Sequence, residues 1–260
     1  MSVIDASEGE LRGIRAALKA PARRMVVIDD LQNVATAIRA GVDVRVVFST
    51  HEFEAAEAFG LPVRRLTKGS AVGLFGAERL SRTFALAVAP KAASLDDLRR
   101  RSGDVVVLDG VRLAGNIGAV VRTTVALGGA GVVLLDSQLP SILDRRLIRA
   151  SRGLIFALPV VATSPGELFS FMRSAELPLF VADAEGSLGI DAYSAIPGRT
   201  VIAFGSERRG CSAVLRAAAA GSVSIPTSAD VDSLNVSVAA GIAMHARRHH
   251  NSTDARVHAQ

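Results

Sequence analysis

Cysteine and aromatic residues are scarce in this chain of 260 residues. It contains one cysteine, one tyrosine and no tryptophan, and aromatic side chains make up 4% of the total. A single cysteine excludes a framework of disulfide bonds. So few aromatic rings also give little support to a platform on which unpaired bases would stack one after another.

Long apolar runs and common ligand motifs are missing as well. No uncharged apolar stretch reaches the roughly 18 residues of a membrane span, and no basic segment precedes a hydrophobic core near the start. The sequence therefore predicts a cytoplasmic protein with no membrane partner. No Cys, His and carboxylate set has metal-ligand spacing, which predicts no metal site. The absence of G-x-G-x-x-G after a strand, and of a P-loop, argues against a nucleotide site of either common type.

What the chain does contain is ample apolar material and an excess of positive charge. Hydrophobic residues make up 49%, enough for one large domain or two modest ones. Thirty basic against 25 acidic residues give a net charge of +5, which favours a polyanionic partner. Residues 1–103 hold 16 basic and 12 acidic residues and residues 104–260 hold 14 and 13, so the basic excess lies in the first part.

The first part reads as a small α/β domain. A basic helical lead-in over residues 1–22 is followed by helices predicted at 31–41 and 51–59, which alternate with strands. This alternation is typical of a three-layer α/β/α arrangement. The predicted strands are Met25–Ile28, Val44–Phe48, Val63–Leu66 and Thr83–Val88.

A change of composition marks the predicted domain boundary. Residues 90–103, PKAASLDDLRRRSG, carry charge at high density, so we place one domain at 1–98, a linker to about 103 and a second domain at 104–260. Within the first domain, Arg64, Arg65 and Lys68 flank a turn between strand and helix. This placement predicts contacts with RNA phosphates, with a solvated charged face as the alternative.

The second domain opens with a strand, Asp104–Asp109, and the segment GVRLAGNIGAVVRTTVALG. We predict a helix over Ala119–Leu127, with Asn116 near its N-terminus and Arg122 farther along. A helix cap and a surface arginine would also explain these two residues.

Arg145, Arg149 and Arg152 follow at i, i+4 and i+7. On one helix, that spacing predicts a stripe of arginines that faces phosphates. An exposed face engaged in salt bridges is the alternative.

The stretch from Thr200 to Arg248 concentrates three signals. A strand at Thr200–Phe204 runs into Gly205, a second strand at 223–225 is stopped by Pro226, and Ser233 is expected to cap a helix that is apolar nearly all round. Such ends expose backbone groups that suit a small polar ligand, although ordinary turns between core strands would give the same pattern. The apolar helix predicts burial against a second subunit, and hence a homodimer.

These segments resemble a known family when they are taken together. NxGxxxR after a strand, then FGSExxG, SIP and SLNVSVAxGI, in this order, resemble the motifs of the SPOUT superfamily of RNA methyltransferases. The segment from Gly103, with DRRLIRASRGLIFALPVV, is similar to the thiostrepton- and nosiheptide-resistance methyltransferases.

The resemblance implies an α/β fold with a C-terminal trefoil knot that holds S-adenosylmethionine, and an N-terminal RNA-binding domain like a small ribosomal protein. The implied reaction is methylation of a ribose 2'-hydroxyl in large-subunit ribosomal RNA, at an adenosine of the thiopeptide-binding region, which confers antibiotic resistance. Another ribosomal or transfer RNA nucleotide, or an RNA-binding relative without catalysis, remains an alternative.

The resemblance also implies which residues act. No histidine is placed as a base, and a guanidinium is a weak one, so we assign Arg122 to gripping phosphate and positioning the hydroxyl. The implied catalytic residues are Asn116, Arg122, Arg152, Glu207, Ser233 and Asn235, and the implied cofactor contacts are Ala182, Gly205, Ile225 and Leu234.

Overall fold

The structure, a computed structural model, describes residues 4–19, 24–51, 59–76, 82–228, 230–231 and 233–257. The helices are α1 (Glu8–Lys19), α2 (Leu31–Arg39), α3 (Lys68–Phe75), α4 (Leu95–Arg99), α5 (Ala114–Leu127), α6 (Arg145–Ala150), α7 (Pro165–Ser174), α8 (Ile190–Ser194), α9 (Ala213–Ala218) and α10 (Val236–Val257). The strands are β1 (Ile4–Asp5), β2 (Met25–Asp29), β3 (Val44–Ser49), β4 (Val63–Arg65), β5 (Thr83–Val88), β6 (Val105–Asp109), β7 (Gly131–Leu135), β8 (Val160–Ala162), β9 (Leu179–Ala182), β10 (Leu188–Gly189), β11 (Val201–Gly205) and β12 (Gly221–Ser224).

These elements form two compact units. The first comprises Met1–Ala92 and Pro140–Ala157, and the second comprises Ala93–Leu139 and Leu158–Gln260. The predicted division at residues 98–103 differs from this one in two respects. Helix α4 belongs to the second unit, because Leu98 is fully buried in that unit's core. Residues 140–157 join the first unit although they follow part of the second unit in sequence. A single boundary along the chain therefore cannot separate the two units.

The first unit is a five-stranded sheet in the order β1-β4-β3-β5-β2, with β5 antiparallel to both of its neighbours. Side chains alternate between the two faces of a strand. Val27 lies on the face that packs against α1 and α3, where Phe48 and Phe84 stack with ring centroids 5.2 Å apart. Val26 and Ile28 are buried on the other face, and α2 contacts β2. The predicted strands are confirmed, whereas the helix predicted at 51–59 falls largely on 52–58, outside the described residues.

The second unit is built on a seven-stranded sheet in which every pairing is parallel, in the order β10-β12-β9-β11-β6-β7-β8. A parallel sheet is covered on both faces, which explains why β6, VVVLD, is apolar almost throughout. Val105 and Val107 pack in the core beside Leu168 of α7, while Val106 and Leu108 are buried on the opposite face.

A buried ion pair ties the last helix to this unit. Arg247 of α10 is 2% exposed, and its Nε donates to Asp104 Oδ2 at 2.9 Å. Its Nη2 also donates to Asp104 Oδ1 at 3.2 Å, and Nη1 and Nη2 donate to the carbonyls of Ser194, Ile196 and Gly198. The guanidinium thereby satisfies three backbone acceptors and one carboxylate, which fixes α10 against the loop after α8.

Over Val236–Arg248, where burial is described, helix α10 is covered on one side. Val236, Ala240 and Met244 are buried, whereas Val238 is 49% and Ile242 is 37% exposed. On the covered side, Thr124 Oγ1 of α5 lies 3.7 Å from Met244 Sδ. The helix therefore carries apolar side chains on both sides, and one of these sides is not covered by its own chain.

Candidate active site

Four parallel strands of the second unit end at one edge of the sheet. Gly205 pairs with Asp109 and Val223 pairs with Ala182, so the loops after β6, β9, β11 and β12 start close together. In open α/β sheets ligands bind outside the carboxyl ends of the strands. The candidate site residues of this unit lie mainly in these loops.

Three of the predicted catalytic side chains meet here. Asn116 Nδ2 donates to Glu207 Oε1 at 3.0 Å, and Asn235 Nδ2 lies 3.4 Å both from Glu207 Oε1 and from Asn116 Oδ1. They come from α5, from the loop after β11 and from the residue before α10. Glu207 and Asn235 are exposed and Asn116 is half-buried, so the cluster is accessible to a substrate.

Asn116 is available because it does not cap its helix. The prediction that the helix starts at Ala119 was wrong: α5 starts at Ala114, its N-cap is Leu113, and no side chain makes the cap hydrogen bond. Asn116 is the third residue of the helix. Gly115 and Gly118 both lie within the helix, and Gly118 is buried.

Asn235, and not Ser233, caps α10. Its Oδ1 accepts from the Ser237 backbone N–H at 2.9 Å, and its carbonyl accepts from the N–H groups of Val238 and Ala239. The expectation for Ser233 was wrong because the helix begins three residues later. Since capping occupies only Oδ1, the Nδ2 of Asn235 remains to bind Glu207.

The loop that carries Glu207 folds back over Gly205. A Cβ atom on Gly205 would lie 1.8 Å from the carbonyl carbon of Gly210 and 2.0 Å from the nitrogen of Cys211. Gly210 has φ +62, and its N–H donates to Ser206 O at 2.9 Å. Two glycines are thus required to close the turn that projects Glu207.

Cys211 anchors this turn and is not a nucleophile. It is 3% exposed, and its Sγ lies 3.5 Å from Ala203 O. Burial, reinforced by the charge of Asp109, raises the pKa of the thiol to about 12. At neutral pH the sulfur is therefore protonated and unreactive.

Two adjoining clefts lie beside the cluster. The strand-end cleft, about 320 Å³, is lined by Ala182, Gly205 and Leu234 together with Glu207 and Ser233. The side cleft, about 110 Å³, shares Ala182 and Leu234 and adds Ile225. All four residues predicted to contact the cofactor line one or both clefts.

A third and larger cleft also borders the cluster. This wide cleft is about 690 Å³ and shares Ser206 and Glu207 with the strand-end cleft, and it reaches Asn116. The Asn116–Glu207–Asn235 cluster therefore lies where two clefts meet. A donor held in one cleft and an acceptor held in the other would come together at this cluster.

Arg122 does not join this cluster in its own chain. Successive residues of a helix are about 100° apart, so six residues place Arg122 about 120° around α5 from Asn116. It is exposed and does not line any of the three clefts described above. Its predicted role stays a prediction.

The arginines at 145–152 belong to the first unit and do not form one helical stripe. Helix α6 ends at Ala150, and Arg152 lies beyond it with φ +52. Arg145 forms a salt bridge with Asp29, which is 2% exposed, and its guanidinium lies 4.3 Å from the centroid of the Phe75 ring. This side chain fastens the segment to the first unit, while Arg149 and Arg152 are exposed.

Two of the predicted RNA contacts in the first unit are paired with carboxylates. Arg64 Nε donates to Glu10 at 3.1 Å, and Arg65 holds Asp5 through two hydrogen bonds of 2.6 and 3.0 Å. The hydrogen bond from Arg65 lowers the pKa of Asp5. Lys68, the first residue of α3, is exposed. The three side chains remain predicted RNA contacts, with Lys68 offering the least compensated charge.

Within the described residues, no cluster of His, Cys, Asp or Glu could hold a metal ion. Those residues also include no helix whose length and apolar content would allow it to cross a bilayer.

Comparison with known proteins assigns the class. Residues 104–245 match the SpoU rRNA Methylase family, so the chain belongs to that family of methyltransferases. Residues 1–101 match the family described as thiostrepton-resistance methylase, N terminus.

Individual relatives agree with this assignment. The chain is similar to the 23S rRNA (adenosine(1067)-2'-O)-methyltransferase of Streptomyces laurentii, with 44% identity over 88% of this chain and 87% of the relative. The protein of the same name from Streptomyces azureus is 41% identical over 86% of each chain. The fold of the present chain resembles that of the SpoU methyltransferase AviRb from Streptomyces viridochromogenes in complex with AdoMet. The TM-score is 0.79 at 20% identity, and the match covers 94% of this chain and 98% of AviRb.

Proposed function

We propose that this protein transfers a methyl group from S-adenosylmethionine to the 2'-hydroxyl of an adenosine in 23S ribosomal RNA, and that it thereby confers resistance to thiopeptide antibiotics. The Asn116–Glu207–Asn235 cluster, where two clefts meet, is the observation that carries this proposal. The identity of 44% to a relative named for this reaction supports it.

The strand-end and side clefts fit the cofactor. Leu234 and Ile225 offer apolar contact for an adenine ring, and the ends of β9, β11 and β12 offer backbone groups for its polar edge. The crossing at Gly205 leaves no room for a side chain, so the ligand meets backbone there. When bound, S-adenosylmethionine supplies a methyl group activated by its sulfonium. We propose that the surrounding loops form the trefoil knot of the SPOUT superfamily.

The cluster orients the reacting hydroxyl. Glu207 Oε1 receives the amide N–H groups of both asparagines, which fixes the carboxylate and leaves Oε2 without a partner among the described residues. That oxygen accepts the hydrogen bond of the ribose hydroxyl and holds it toward the strand-end cleft. Ser233 lines the same cleft and adds a second polar contact. Holding reacting groups in line contributes several kcal/mol to catalysis.

The proton of the hydroxyl leaves late and passes to water, because a ribose hydroxyl is a very weak acid until its oxygen has begun to bond the methyl group. Arg122 grips the neighbouring phosphate and positions the sugar, since a guanidinium binds phosphate in two places and does not deprotonate near neutral pH. Arg149 and Arg152 contact phosphates from the first unit, where they are exposed. Arg64, Arg65 and Lys68 extend this contact, and Arg145 supports Arg149 and Arg152 through its pair with Asp29.

A homodimer would bring Arg122 to the partner's cluster. Arg122 lies about 120° around α5 from Asn116 in its own chain, and the exposed side chains of Val238 and Ile242 leave an apolar side of α10 uncovered. Light scattering should give about twice the chain mass of 27.1 kDa, and Ile242→Asp should yield monomers with little activity. A monomeric active protein would contradict this part of the proposal.

Because ribosomal RNA is the substrate, we place the protein in the cytoplasm.

Mapping of the modified nucleotide tests the proposed function. 23S ribosomal RNA incubated with the protein and S-adenosylmethionine should give a reverse-transcription stop at limiting nucleotide concentration, next to one adenosine. Glu207→Gln should reduce the single-turnover rate at least about 100-fold. Glu176→Gln, an exposed glutamate after α7, is the matched control and should retain the rate. A stop at another ribosomal nucleotide or only in transfer RNA, or RNA binding without any stop, would replace the proposal with the corresponding alternative.

A further inference from the structure

One wall of the wide cleft carries groups that the proposed chemistry does not use. Arg112, Leu113 and Asp136 line it together with Asn116 and Glu207. We call these three residues the arginine–aspartate wall. A cleft of about 690 Å³ falls within the range of small-molecule sites and can hold a nucleoside turned out of its stack.

Asp136 is held in an unusual backbone conformation. It follows β7 directly and has φ +47, a region that residues other than glycine adopt infrequently. Its carboxylate is 63% exposed, and Oδ2 accepts from Arg112 NH2 at 2.8 Å.

Leu113 is an unusual residue for the position that it occupies at the start of α5. It occupies the N-cap position of α5, where serine, threonine, aspartate and asparagine are preferred, and it makes no cap hydrogen bond. Its side chain is 64% exposed at the edge of the cleft. An apolar side chain held in water beside a polar pair offers a surface for the face of a base.

We propose that the arginine–aspartate wall reads the base of the target nucleotide, with Leu113 against the face of an adenine and Asp136 accepting a hydrogen bond from its exocyclic amino group. This inference rests on the proposed function and adds the group that recognises the base. A carboxylate only accepts hydrogen bonds and a guanidinium only donates them. The pair thus presents an acceptor next to a donor, which complements the amino group of adenine and its adjacent ring nitrogen.

A substrate that lacks the amino group isolates this contact. A hairpin RNA of the target region is prepared with adenosine at the target position, and a second hairpin has purine riboside there, which differs by that group alone. A site built to bind an N–H group rejects the analogue without it. We expect the unaltered protein to methylate the adenosine hairpin about 10- to 100-fold faster, in kcat/KM, than the purine riboside hairpin.

Asp136→Gly removes the carboxylate and suits a positive φ, so the backbone should be retained. In this variant, the ratio of kcat/KM for the adenosine hairpin to that for the purine riboside hairpin should fall to about 3 or less. Asp43→Gly is the matched control, since Asp43 is 53% exposed in a comparable pair with Arg45 at 2.5 Å. It should keep the full preference. Equal affinity for S-adenosylmethionine in both variants shows that the cofactor site is intact.

If Asp136→Gly does not fold, Asp136→Asn carries the test, because asparagine tolerates this conformation and retains a weaker, neutral acceptor. Its preference for adenosine should then be reduced but not lost. An unaltered protein that treats both hairpins alike, or Asp136 variants that keep the full preference, would overturn the inference. Failure of the unaltered protein to methylate even the adenosine hairpin would instead overturn the proposed function.

Discussion

Replacing Gly205 by alanine should break the turn that carries Glu207. The added Cβ would lie 1.8 to 2.1 Å from three backbone atoms of Gly210 and Cys211, and none of these can rotate away as a side chain could. The backbone must therefore shift by about 1 Å. Overpacking typically costs about 1–3 kcal/mol, and we expect the upper end because all three contacts are with backbone.

The consequence is measurable as a melting temperature. For a unit of this size, 1 kcal/mol corresponds to about 2–4 °C, so Gly205→Ala should lower the midpoint by about 6–12 °C. Binding of S-adenosylmethionine, measured by calorimetry, should weaken strongly, since Gly205 lines the strand-end cleft.

Gly166→Ala is the matched control within the same unit. Gly166 lies in the first turn of α7, and nothing lies within 4 Å of the position of its Cβ. Alanine is favoured over glycine in helices, so this variant should be neutral or slightly stabilised. A Gly205→Ala protein that melts within about 2 °C of the unaltered protein and binds cofactor normally would refute the described crossing of Gly205 by the loop.

Four further outcomes follow from other parts of the structure. Arg247→Met should destabilise the second unit by about 3–5 kcal/mol in urea unfolding, because it removes the cation paired with Asp104 and leaves Asp104 Oδ2 and three carbonyls without their donor; an unchanged midpoint would contradict the buried pair. Cys211 should resist thiol reagents at pH 8 until the protein unfolds. Its pKa rises from 9.0 to about 12 on folding, so between these pH values the unfolded chain loses a proton that the folded chain keeps, and stability should fall as pH rises. Arg122→Ala should lower the single-turnover rate at least about 100-fold while most RNA affinity remains, and Arg122→Lys should not restore it; a near-normal rate would remove Arg122 from the mechanism. Lys68→Glu should weaken RNA binding and flatten its salt dependence in gel-shift titrations, without changing cofactor affinity.

The strands could be predicted because a parallel sheet imposes a strong local pattern. Both faces of β6 and β11 are covered, so their sequences read as continuous apolar runs that a stop residue ends. The loops that carry the predicted cofactor contacts could also be located, because glycine and proline mark strand ends at one edge of the sheet. The contacts themselves follow from the family resemblance and stay a prediction. Ala182, Gly205, Ile225 and Leu234 all line the expected clefts.

The helix starts could not be predicted because long-range contacts decide them. Leu113 is a poor cap by composition, and Asn235 was less conspicuous than Ser233 until its amide was seen to serve Glu207 as well as α10. The place of residues 140–157 depends on the salt bridge between Arg145 and Asp29, which are 116 positions apart. The spacing of apolar residues along the sequence does not reveal such a distant pair.

The arginine–aspartate wall was missed for a similar reason. Arg112 and Asp136 are 24 positions apart and meet only because β6 and β7 are neighbours in the sheet. The one local signal is an aspartate directly after an apolar strand at Leu135. Once the parallel order of the strands is known, that signal places Asp136 at the same edge as Glu207.

Analysis of the modified nucleoside tests the central claim most directly. 23S ribosomal RNA treated with the protein and S-adenosylmethionine would be digested to nucleosides and analysed by mass spectrometry against the same RNA treated with Glu207→Gln. The proposed function predicts 2'-O-methyladenosine, approaching one equivalent per RNA molecule, and almost none with the variant. Methylation on a base, 2'-O-methylation of another nucleoside, or an equal yield from Glu207→Gln would contradict it.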